Sequence, residues 1–260
     1  MNRRQVLAGA IASTAAASFE SQAAGAPNTC LELKSWQLHN SEEDQPARVR
    51  SFLEHGLAPA LAKSGAQLAG AFENVIAPEG PFYITLVEYA SLGAMREALT
   101  KLASDGAYLS EIEKLGSGPG LPFVRVESSL LRSFDVMPRV TIAEKGAQRA
   151  RIFELRRYES QSFATLKRKV GMFNDAEARI FERLGMRPVF FGETIVGPRQ
   201  PNLMYMLSYD DLAARDRLWR EFGGDPEWQK LKARPELSDP QIVANISNMI
   251  LRPLPFSPVR

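Results

Sequence analysis

Two glutamates at matching positions in the two halves of the chain are the first candidates for chemistry. Glu73 and Glu193 each fall within a predicted β-strand. A carboxylate that faces a semi-apolar sheet interior can have a raised pKa and act as a general base. The alternative is that these side chains form ion pairs with Lys34 or Arg156, or lie in solvent, which is the more common arrangement.

A histidine and several aromatic residues are the next candidates. His55 is present in one half only, with Asp175 at the equivalent position. Such a histidine can ligate haem or act as a base, although it is more often a surface or helix-capping residue. The candidates for ligand binding are Arg156, Tyr158, Trp219 and Trp228. The two tryptophans, which lie on either side of a predicted helix break, either line a pocket or anchor the core of the repeat.

The composition excludes several classes of protein. The 260 residues are 45% hydrophobic and 24% charged with a formal net charge of +2, which is typical of a globular protein that does not bind nucleic acid. Cys30 is the single cysteine, and His39 and His55 are the two histidines, so no metal site is expected. Phosphate-binding glycine loops and Gly-x-Ser-x-Gly motifs are absent. We therefore predict no cofactor, and leave haem and flavin open.

Residues 1–23 are typical of a bacterial twin-arginine signal peptide. Arg3 and Arg4 precede a weakly apolar stretch from Leu7 to Ala17, and Ser21-Gln22-Ala23 has the small-x-small pattern of a signal-peptidase site. The alternative is a frayed helix with two chance arginines. Such a signal is an address rather than an anchor, and no apolar run reaches the roughly 20 residues of a membrane-spanning helix. The sequence therefore predicts a periplasmic protein exported by the twin-arginine route.

An internal repeat predicts the domain organisation. Shifting the sequence by 120 positions superimposes Gly65 on Gly185, Pro78 on Pro198, Pro81 on Pro201, Tyr89 on Tyr209 and Asp105 on Asp225. A constant offset across several elements indicates two copies of one supersecondary unit. We predict a first repeat over residues 30–134, a linker at residues 135–149 and a second repeat over residues 150–260.

Each copy has the pattern strand, helix, strand, strand, helix, strand. Apolar residues alternate in the strand segments and recur at the 3.6-residue spacing of a helix in the others. A βαββαβ order produces a four-stranded antiparallel sheet with both helices on one face, the ferredoxin-like fold of the α+β class. Because the other face of each sheet would be bare, we expect the two repeats to pair their sheets as a pseudo-dimeric α/β barrel.

The first strand of each copy has two chemically different faces. Within Leu31–Trp36 the leucines point to one face, while the acid, the base and the tryptophan point to the other. Phe153–Tyr158 repeats this pattern with Arg156 as its base. We expect the aliphatic face to meet the helices and the mixed face to meet the opposing sheet, where acid and base neutralise each other. Arg156 should then be buried, and Arg157 should contribute much less to stability.

The second copy resembles the NIPSNAP family. The resemblance rests on Phe153–Tyr158 (FELRRY), Asp216–Phe222 (DRLWREF) and Asp225–Trp228 (DPEW). It is weaker in the first copy, where Asp105–Tyr108 (DGAY) replaces the last motif. This resemblance implies a place in the dimeric α/β-barrel superfamily, whose members include monooxygenases, haem-degrading enzymes and decarboxylases. NIPSNAP proteins themselves have no settled catalytic activity.

The resulting prediction is an exported NIPSNAP-like module that binds a small apolar ligand or a protein partner without catalysis. The alternative is a small-molecule enzyme of the oxygenase or lyase type, with a pocket between sheet and helices, which rests on fold analogy alone. The sequence leaves the ligand, the partner and the formation of homo-oligomers open.

Overall fold

The computed structural model of the protein describes residues 27–142 and 151–260. In the first repeat the strands are β1 (Cys30–Gln37), β2 (Gln67–Ile76), β3 (Phe82–Tyr89) and β4 (Arg125–Ser133). Helix α1 (Gln45–Ser51) continues through a π-helical turn (Phe52–Leu57) into α2 (Ala58–Ser64), and α3 (Leu92–Leu102) and α4 (Gly106–Gly116) follow β3. The observed order therefore matches the predicted one, with one additional helix before β4.

The second repeat has the same order of elements. Its strands are β5 (Ile152–Glu159), β6 (Arg187–Val196), β7 (Asn202–Tyr209) and β8 (Asn245–Pro253). Its helices are α5 (Phe163–Met172), a π-helical turn (Phe173–Glu177), α6 (Ala178–Arg183), α7 (Leu212–Gly224), α8 (Pro226–Lys232), a 3₁₀ turn (Pro235–Leu237) and α9 (Asp239–Ile242). None of the helices in the described part of the chain has the length and apolarity to cross a bilayer.

Residues with special backbone or capping properties determine where the helices begin and end. Gly65 and Gly185 have φ angles of 88° and 82°. This left-handed conformation ends α2 in the first repeat and α6 in the second. Asp225 accepts hydrogen bonds from the amides of Glu227 and Trp228 and begins α8. Asp105 caps α4 in the same way. The first repeat therefore has a counterpart of α8, although Gly106 stands where the second repeat has Pro226.

The eight strands form one closed antiparallel barrel in the order β1-β3-β2-β8-β5-β7-β6-β4. Each repeat contributes four neighbouring strands, which confirms the predicted pairing of two ferredoxin-like sheets in a pseudo-dimeric α/β barrel. The repeats meet at two seams, where β2 pairs with β8 and β4 pairs with β6. Closure gives each of these eight strands a neighbour on both sides, which protects the paired stretches from pairing with other chains.

After its last strand, each repeat continues as a tail that lies on the other repeat. The tails are held by backbone hydrogen bonds from Phe134 to Phe191 (3.1 Å), Thr141 to Val189 (2.9 Å), Leu254 to Ala71 (2.8 Å) and Val259 to Ala69 (3.0 Å). Val140 and Val259 are buried with the residues of the barrel interior. The described part of the predicted linker, residues 135–142, is therefore packed against the second repeat.

The aliphatic face of each first strand lines the barrel interior, so the predicted assignment of the two faces is wrong. Leu31, Leu33, Phe153 and Leu155 belong to one apolar cluster that draws residues from strands of both repeats. Trp36 and Tyr158 instead pack with the helices of their own repeats. The interior of an eight-stranded barrel is filled by side chains, and a charge there needs a partner. The space between each sheet and its helices offers such partners to the charged residues of the first strands.

The same reversal applies to the neighbouring arginines. Arg156 lies under the helices rather than between the sheets, with its side chain 12% exposed. Arg157 shares the face of Phe153 and Leu155, so its side chain points into the barrel and is half-buried. Arg157 therefore lies in the barrel interior, whereas the sequence analysis placed its face of the strand against the helices.

We expect residues 151–260, expressed alone, to form a homodimer. The isolated repeat would expose the β6 and β8 edges and the apolar face around Phe153 and Leu155, which a second copy can cover in the way the first repeat does. Light scattering after size exclusion measures the mass. The same fragment without residues 254–260 lacks the exchanged tail and should dimerise more weakly, whereas a stable monomer of the longer fragment would contradict the expectation.

Candidate functional site

A buried cluster of charged and aromatic side chains lies between the sheet and the helices of the second repeat. We call it the Glu154 cluster, and its members are Glu154 and Arg156 on β5, Tyr209 on β7, Arg215 and Trp219 on α7 and Asn248 on β8. Alternation along β5 places the glutamate and Arg156 on one face of the sheet. The four-residue spacing of Arg215 and Trp219 places both on one face of α7.

Glu154 accepts hydrogen bonds from every other member of the cluster. Its Oε1 accepts from Arg156 at 2.8 Å, Arg215 at 2.6 Å and Asn248 at 2.9 Å, and its Oε2 accepts from Trp219 at 2.8 Å and Tyr209 at 3.4 Å. The Glu154 side chain is 0% exposed. Because a carboxylate has about four lone-pair sites, these donors saturate it, and Glu154 is not free to accept a proton from a substrate.

The electrostatic environment keeps both partners of this ion pair charged. Burial alone would raise the pKa of Glu154, but hydrogen bonding to Arg215 and the charge of Arg156 outweigh it and lower the pKa. Burial alone would also lower the pKa of Arg156, yet the neighbouring Tyr205, Tyr158 and Glu154 hold that pKa above its ordinary value. The cluster is therefore a permanent internal ion pair rather than an acid–base pair.

Two of the four predicted ligand-binding residues, Arg156 and Trp219, belong to this cluster, and a third, Tyr158, contacts Arg156 beside it. The Arg156 guanidinium carbon lies 4.4 Å from the ring centre of Trp219 and 5.4 Å from that of Tyr158, within the range of cation–π attraction. The Arg156 Nη2 donates to the Tyr158 hydroxyl at 3.2 Å, and the Tyr205 hydroxyl donates to the same oxygen at 2.8 Å. Trp228 is buried nearby with its ring 4.5 Å from that of Phe222. These contacts bind the helices to the sheet.

A second buried ion pair, Lys169 with Glu177, adjoins the cluster. The Lys169 Nζ donates to the Glu177 Oε2 at 2.8 Å, and the two side chains are 1% and 2% exposed. The ammonium lies between 5.0 and 5.5 Å from the rings of Phe173, Tyr158 and Trp228. Burial raises the pKa of Glu177, and the charge of Lys169 opposes this only in part. Two charges that close together in an apolar layer depend on each other for compensation.

Sequence reasoning missed this pair, although a signal exists. The basic run at residues 167–169 is typical of a solvated helix face, but Lys169 is buried. Lys169 and Glu177 lie four residues before and after the buried Phe173, on the same helix stripe as the apolar positions. An acid and a base that both interrupt an apolar stripe are therefore the pattern that predicts a buried ion pair.

The structure places the two candidate general bases at the seams. Glu73 Oε1 lies 3.5 Å from Arg252 Nη1, and Glu193 Oε2 lies 2.5 Å from Arg132 Nη2. Each pair joins opposite residues of neighbouring strands from different repeats. The partners are therefore the last-strand arginines and not the expected Lys34 and Arg156, which face the helices. The two glutamate side chains are 36% and 24% exposed, respectively, so these ion pairs are screened by solvent.

The remaining candidates do not join either cluster. His55 is exposed on the π-helical turn of the first repeat. Arg3 and Arg4 lie outside the described residues. Within residues 27–142 and 151–260, no three His, Cys, Asp or Glu side chains are grouped closely enough to hold a metal ion.

The first repeat contains a reduced version of the Glu154 cluster. The buried Glu32 accepts hydrogen bonds from the Tyr89 hydroxyl at 3.0 Å and the Ser128 hydroxyl at 2.9 Å, and Lys34 Nζ lies 3.2 Å away. At the positions of Arg215 and Trp219 the first repeat has Met95 and Leu99. Helix α3 therefore leaves a shallow apolar surface uncovered, on which Leu92 and Leu99 are 54% and 41% exposed.

We expect Lys169→Met to destabilise the protein by roughly 3–5 kcal/mol, because it leaves Glu177 buried without a counter-charge. Chemical denaturation measures the free energy of unfolding. The double variant Lys169→Met with Glu177→Leu should recover most of this loss, since apolar side chains can replace a buried ion pair. Lys167→Met, on the exposed face of the same helix, is the control and should change stability by less than about 0.5 kcal/mol. Equal losses in the single and double variants would contradict the expectation.

Glu154→Gln is expected to destabilise the protein at pH 7 by roughly 3–5 kcal/mol, and this difference should shrink on acidification. A carboxyl whose pKa is lowered on folding stabilises the folded state above its unfolded-state pKa of about 4.3, and this stabilisation is lost as the pH falls through the folded-state pKa. Unfolding curves between pH 3 and 7 test this. Glu221→Gln, an exposed substitution on α7, should show neither effect, and a difference for Glu154→Gln that is independent of pH would refute the argument.

Solved structures resemble this chain over most of its length or over part of it. A proposed monooxygenase from Lactobacillus acidophilus is 12% identical with a TM-score of 0.55, over 86% of this chain and 93% of its own. Another from Fusobacterium nucleatum is 10% identical with a TM-score of 0.54, over 88% of this chain and 93% of its own. A NIPSNAP family protein from Agrobacterium tumefaciens is 23% identical with a TM-score of 0.40, over 46% of this chain and all of its own. No match was found among curated proteins.

The family comparison concerns the second repeat. Residues 153–258 match the NIPSNAP family model, and this range includes the three motifs on which the sequence resemblance was based. The two monooxygenase-like structures cover most of the chain at low identity, so they show the barrel fold and nothing about activity. The second repeat is therefore a NIPSNAP-like repeat, within a chain that folds as a tandem version of the dimeric α/β barrel.

Proposed function

We propose that this protein is an exported NIPSNAP-like module that binds a ligand without transforming it. The observation that carries the proposal is the saturation of Glu154, whose two oxygens accept five hydrogen bonds. A general base needs a free lone pair and a pKa near the working pH. Glu154 has neither, because its pKa is lowered and its donors come from the protein itself.

The other ionisable candidates support the same conclusion. Lys169 is buried in an ion pair with Glu177 at 2.8 Å, so its ammonium is engaged by the protein itself. Glu73 and Glu193 pair with arginines across the two seams. The charged groups under the helices therefore stabilise the fold, and none of these side chains supplies the enzyme alternative with a free base.

Export through the twin-arginine route is part of the proposal. It rests on Arg3, Arg4 and the pattern that follows them. This route carries proteins that are already folded, which is compatible with a barrel that the two repeats complete together. The bound molecule would then be acquired either in the cytoplasm or in the periplasm.

The test is a native mass spectrum of protein purified from the periplasm of its own cells. We expect a mass excess from a bound small molecule or partner, and after incubation with the purified protein the released molecule should be chemically unchanged. The variant with both Arg3→Lys and Arg4→Lys is the control for export and should remain in the cytoplasm. Time-dependent conversion of the released molecule, or haem or flavin absorbance in the purified protein, would favour the enzyme alternative instead.

A further inference from the structure

The seam between β2 and β8 is paired over only part of its length. Its register joins residues 72–76 of β2 to residues 250–253 of β8. Strand β8 nevertheless begins at Asn245, and its residues 245–251 pair with β5 on the other side. Residues 245–249 therefore have a strand neighbour on one side only. We call this stretch the open edge of β8.

Two residues of the open edge direct their backbone groups away from β5. Successive residues of an antiparallel strand point their N–H and C=O groups to opposite sides. The Leu254 amide donates to the Ala71 carbonyl of β2 at 2.8 Å, so the even-numbered residues of β8 face the β2 side. Ile246 and Asn248 are exposed, and no residue in the described part of the chain is hydrogen-bonded to their backbone N–H and C=O groups. These four groups are therefore open to solvent.

The turn between β2 and β3 does not cover the open edge. The Phe82 amide donates to the Asn74 Oδ1 at 2.9 Å, and the Leu38 amide donates to the Pro81 carbonyl at 3.0 Å. These bonds hold the turn against its own hairpin and against the end of β1. Because β1 and β3 lie on the side of β2 opposite to β8, β2 and β8 diverge as a fork.

The fork is apolar and uncharged. Val75 and Ile76 at the end of β2 are 40% and 56% exposed, and Ile246 on β8 is 45% exposed. Ile76 lies opposite Ile250, the last paired position before the strands diverge. The open edge itself, with the sequence Asn-Ile-Ser-Asn-Met, contains no charged residue. Exposed aliphatic side chains beside unpaired backbone groups favour an apolar strand as the occupant.

The other seam has the same fork but protects it with charges. Residues 125–129 of β4 pair with β1 and lie beyond the register with β6, which covers residues 130–133. Arg125 and Glu127 stand on this stretch, and the Arg125 Nε lies 2.7 Å from the Glu127 Oε1. Charged side chains on an edge strand hinder pairing with another chain. The open edge of β8 lacks this protection.

The protein covers comparable edges with extended segments of its own chain. The tail after β8 donates backbone hydrogen bonds to Ala71 and Ala69 of β2, and the tail after β4 donates to Phe191 and Val189 of β6. These positions continue the two seams on stretches that the last strands do not reach. An extended polypeptide is therefore the kind of occupant that the edges of this barrel accept.

We propose that the open edge of β8 binds an extended, uncharged segment of a partner protein, which adds to the sheet as a further β-strand. The backbone groups of Ile246 and Asn248 pair with that segment, as in other cases of strand addition. Its apolar side chains contact Val75, Ile76 and Ile246. This inference rests on the proposed binding function and names a polypeptide as the partner. Since β4 is protected, each chain binds one segment.

The probe is the uncharged peptide acetyl-Thr-Val-Thr-Val-Thr-Val-amide, titrated into the full protein labelled with nitrogen-15. Nuclear magnetic resonance measures the exchange of single backbone amides with solvent. We expect the amides of Ile246 and Asn248 to exchange rapidly in the free protein and at least about tenfold more slowly with the peptide bound. Val126 and Ser128, at the equivalent positions of β4, should show no change.

A pair of proline variants tests the backbone contact. Ile246→Pro removes an N–H group that β5 does not use, and it should weaken peptide binding about fivefold or more, because one hydrogen bond is lost. Val126→Pro makes the same change at the equivalent position of β4 and should bind the peptide as the wild type does. Should Ile246→Pro not fold, Ile246→Asp keeps the N–H group and places a charge on the edge, and it should also weaken binding.

Several outcomes overturn the proposal. They are unchanged exchange at Ile246 and Asn248 with the peptide, equal protection at Val126 and Ser128, and undiminished binding by the Ile246 variants. Protection of Ile246 and Asn248 in the free protein, together with a mass of two chains by light scattering, would assign the edge to a second copy instead. A small molecule that co-purifies with a protein unable to bind the peptide would contradict this site and leave the proposed binding function intact.

Discussion

Each four-stranded sheet carries helices on one face only, and the need to cover the other face determines most of this structure. The two bare faces meet as the apolar interior of a closed barrel. Closure also covers most of the four sheet edges, since β2 pairs with β8 and β4 with β6. The exchanged tails and the seam ion pairs of Glu73 and Glu193 follow from that arrangement, because they lie where one repeat ends against the other.

The sequence predicts the order of elements and the barrel, because both depend on patterns that a single chain displays. Helix and strand periods are local, and the 120-residue offset between Gly65 and Gly185 reveals the duplication. Alternation along Phe153–Tyr158 separates two faces of a strand, but it does not say which face is covered by helices when both are buried. That is why the positions of Arg156 and Arg157 were interchanged. The ion pair of Lys169 with Glu177 was missed because a basic run is normally exposed, and only tertiary packing makes it otherwise.

Duplication within one chain allows the two halves to differ. In a symmetric dimer every substitution appears twice, whereas here Trp219 and Leu99 occupy equivalent positions with different consequences. The second repeat uses its tryptophan and Arg215 to complete a saturated buried cluster. The first repeat keeps a smaller cluster around Glu32 and leaves part of α3 uncovered. Arg157 and Ser35, which occupy equivalent positions on the interior faces of β5 and β1, differ in the same manner.

The seam between β2 and β8 also has a consequence for how the protein is made. Phe72 on β2 pairs with Pro253 on β8. One edge of β2 therefore stays uncovered until β8, the last strand, has been synthesised. Contacts between residues so distant in sequence slow folding, because a long loop must close before they contribute. While the ribosome synthesises the second repeat, the first repeat presents an open edge and an apolar sheet face to the cytoplasm. The topology therefore leaves the first repeat uncovered until β8 has left the ribosome and the ring can close.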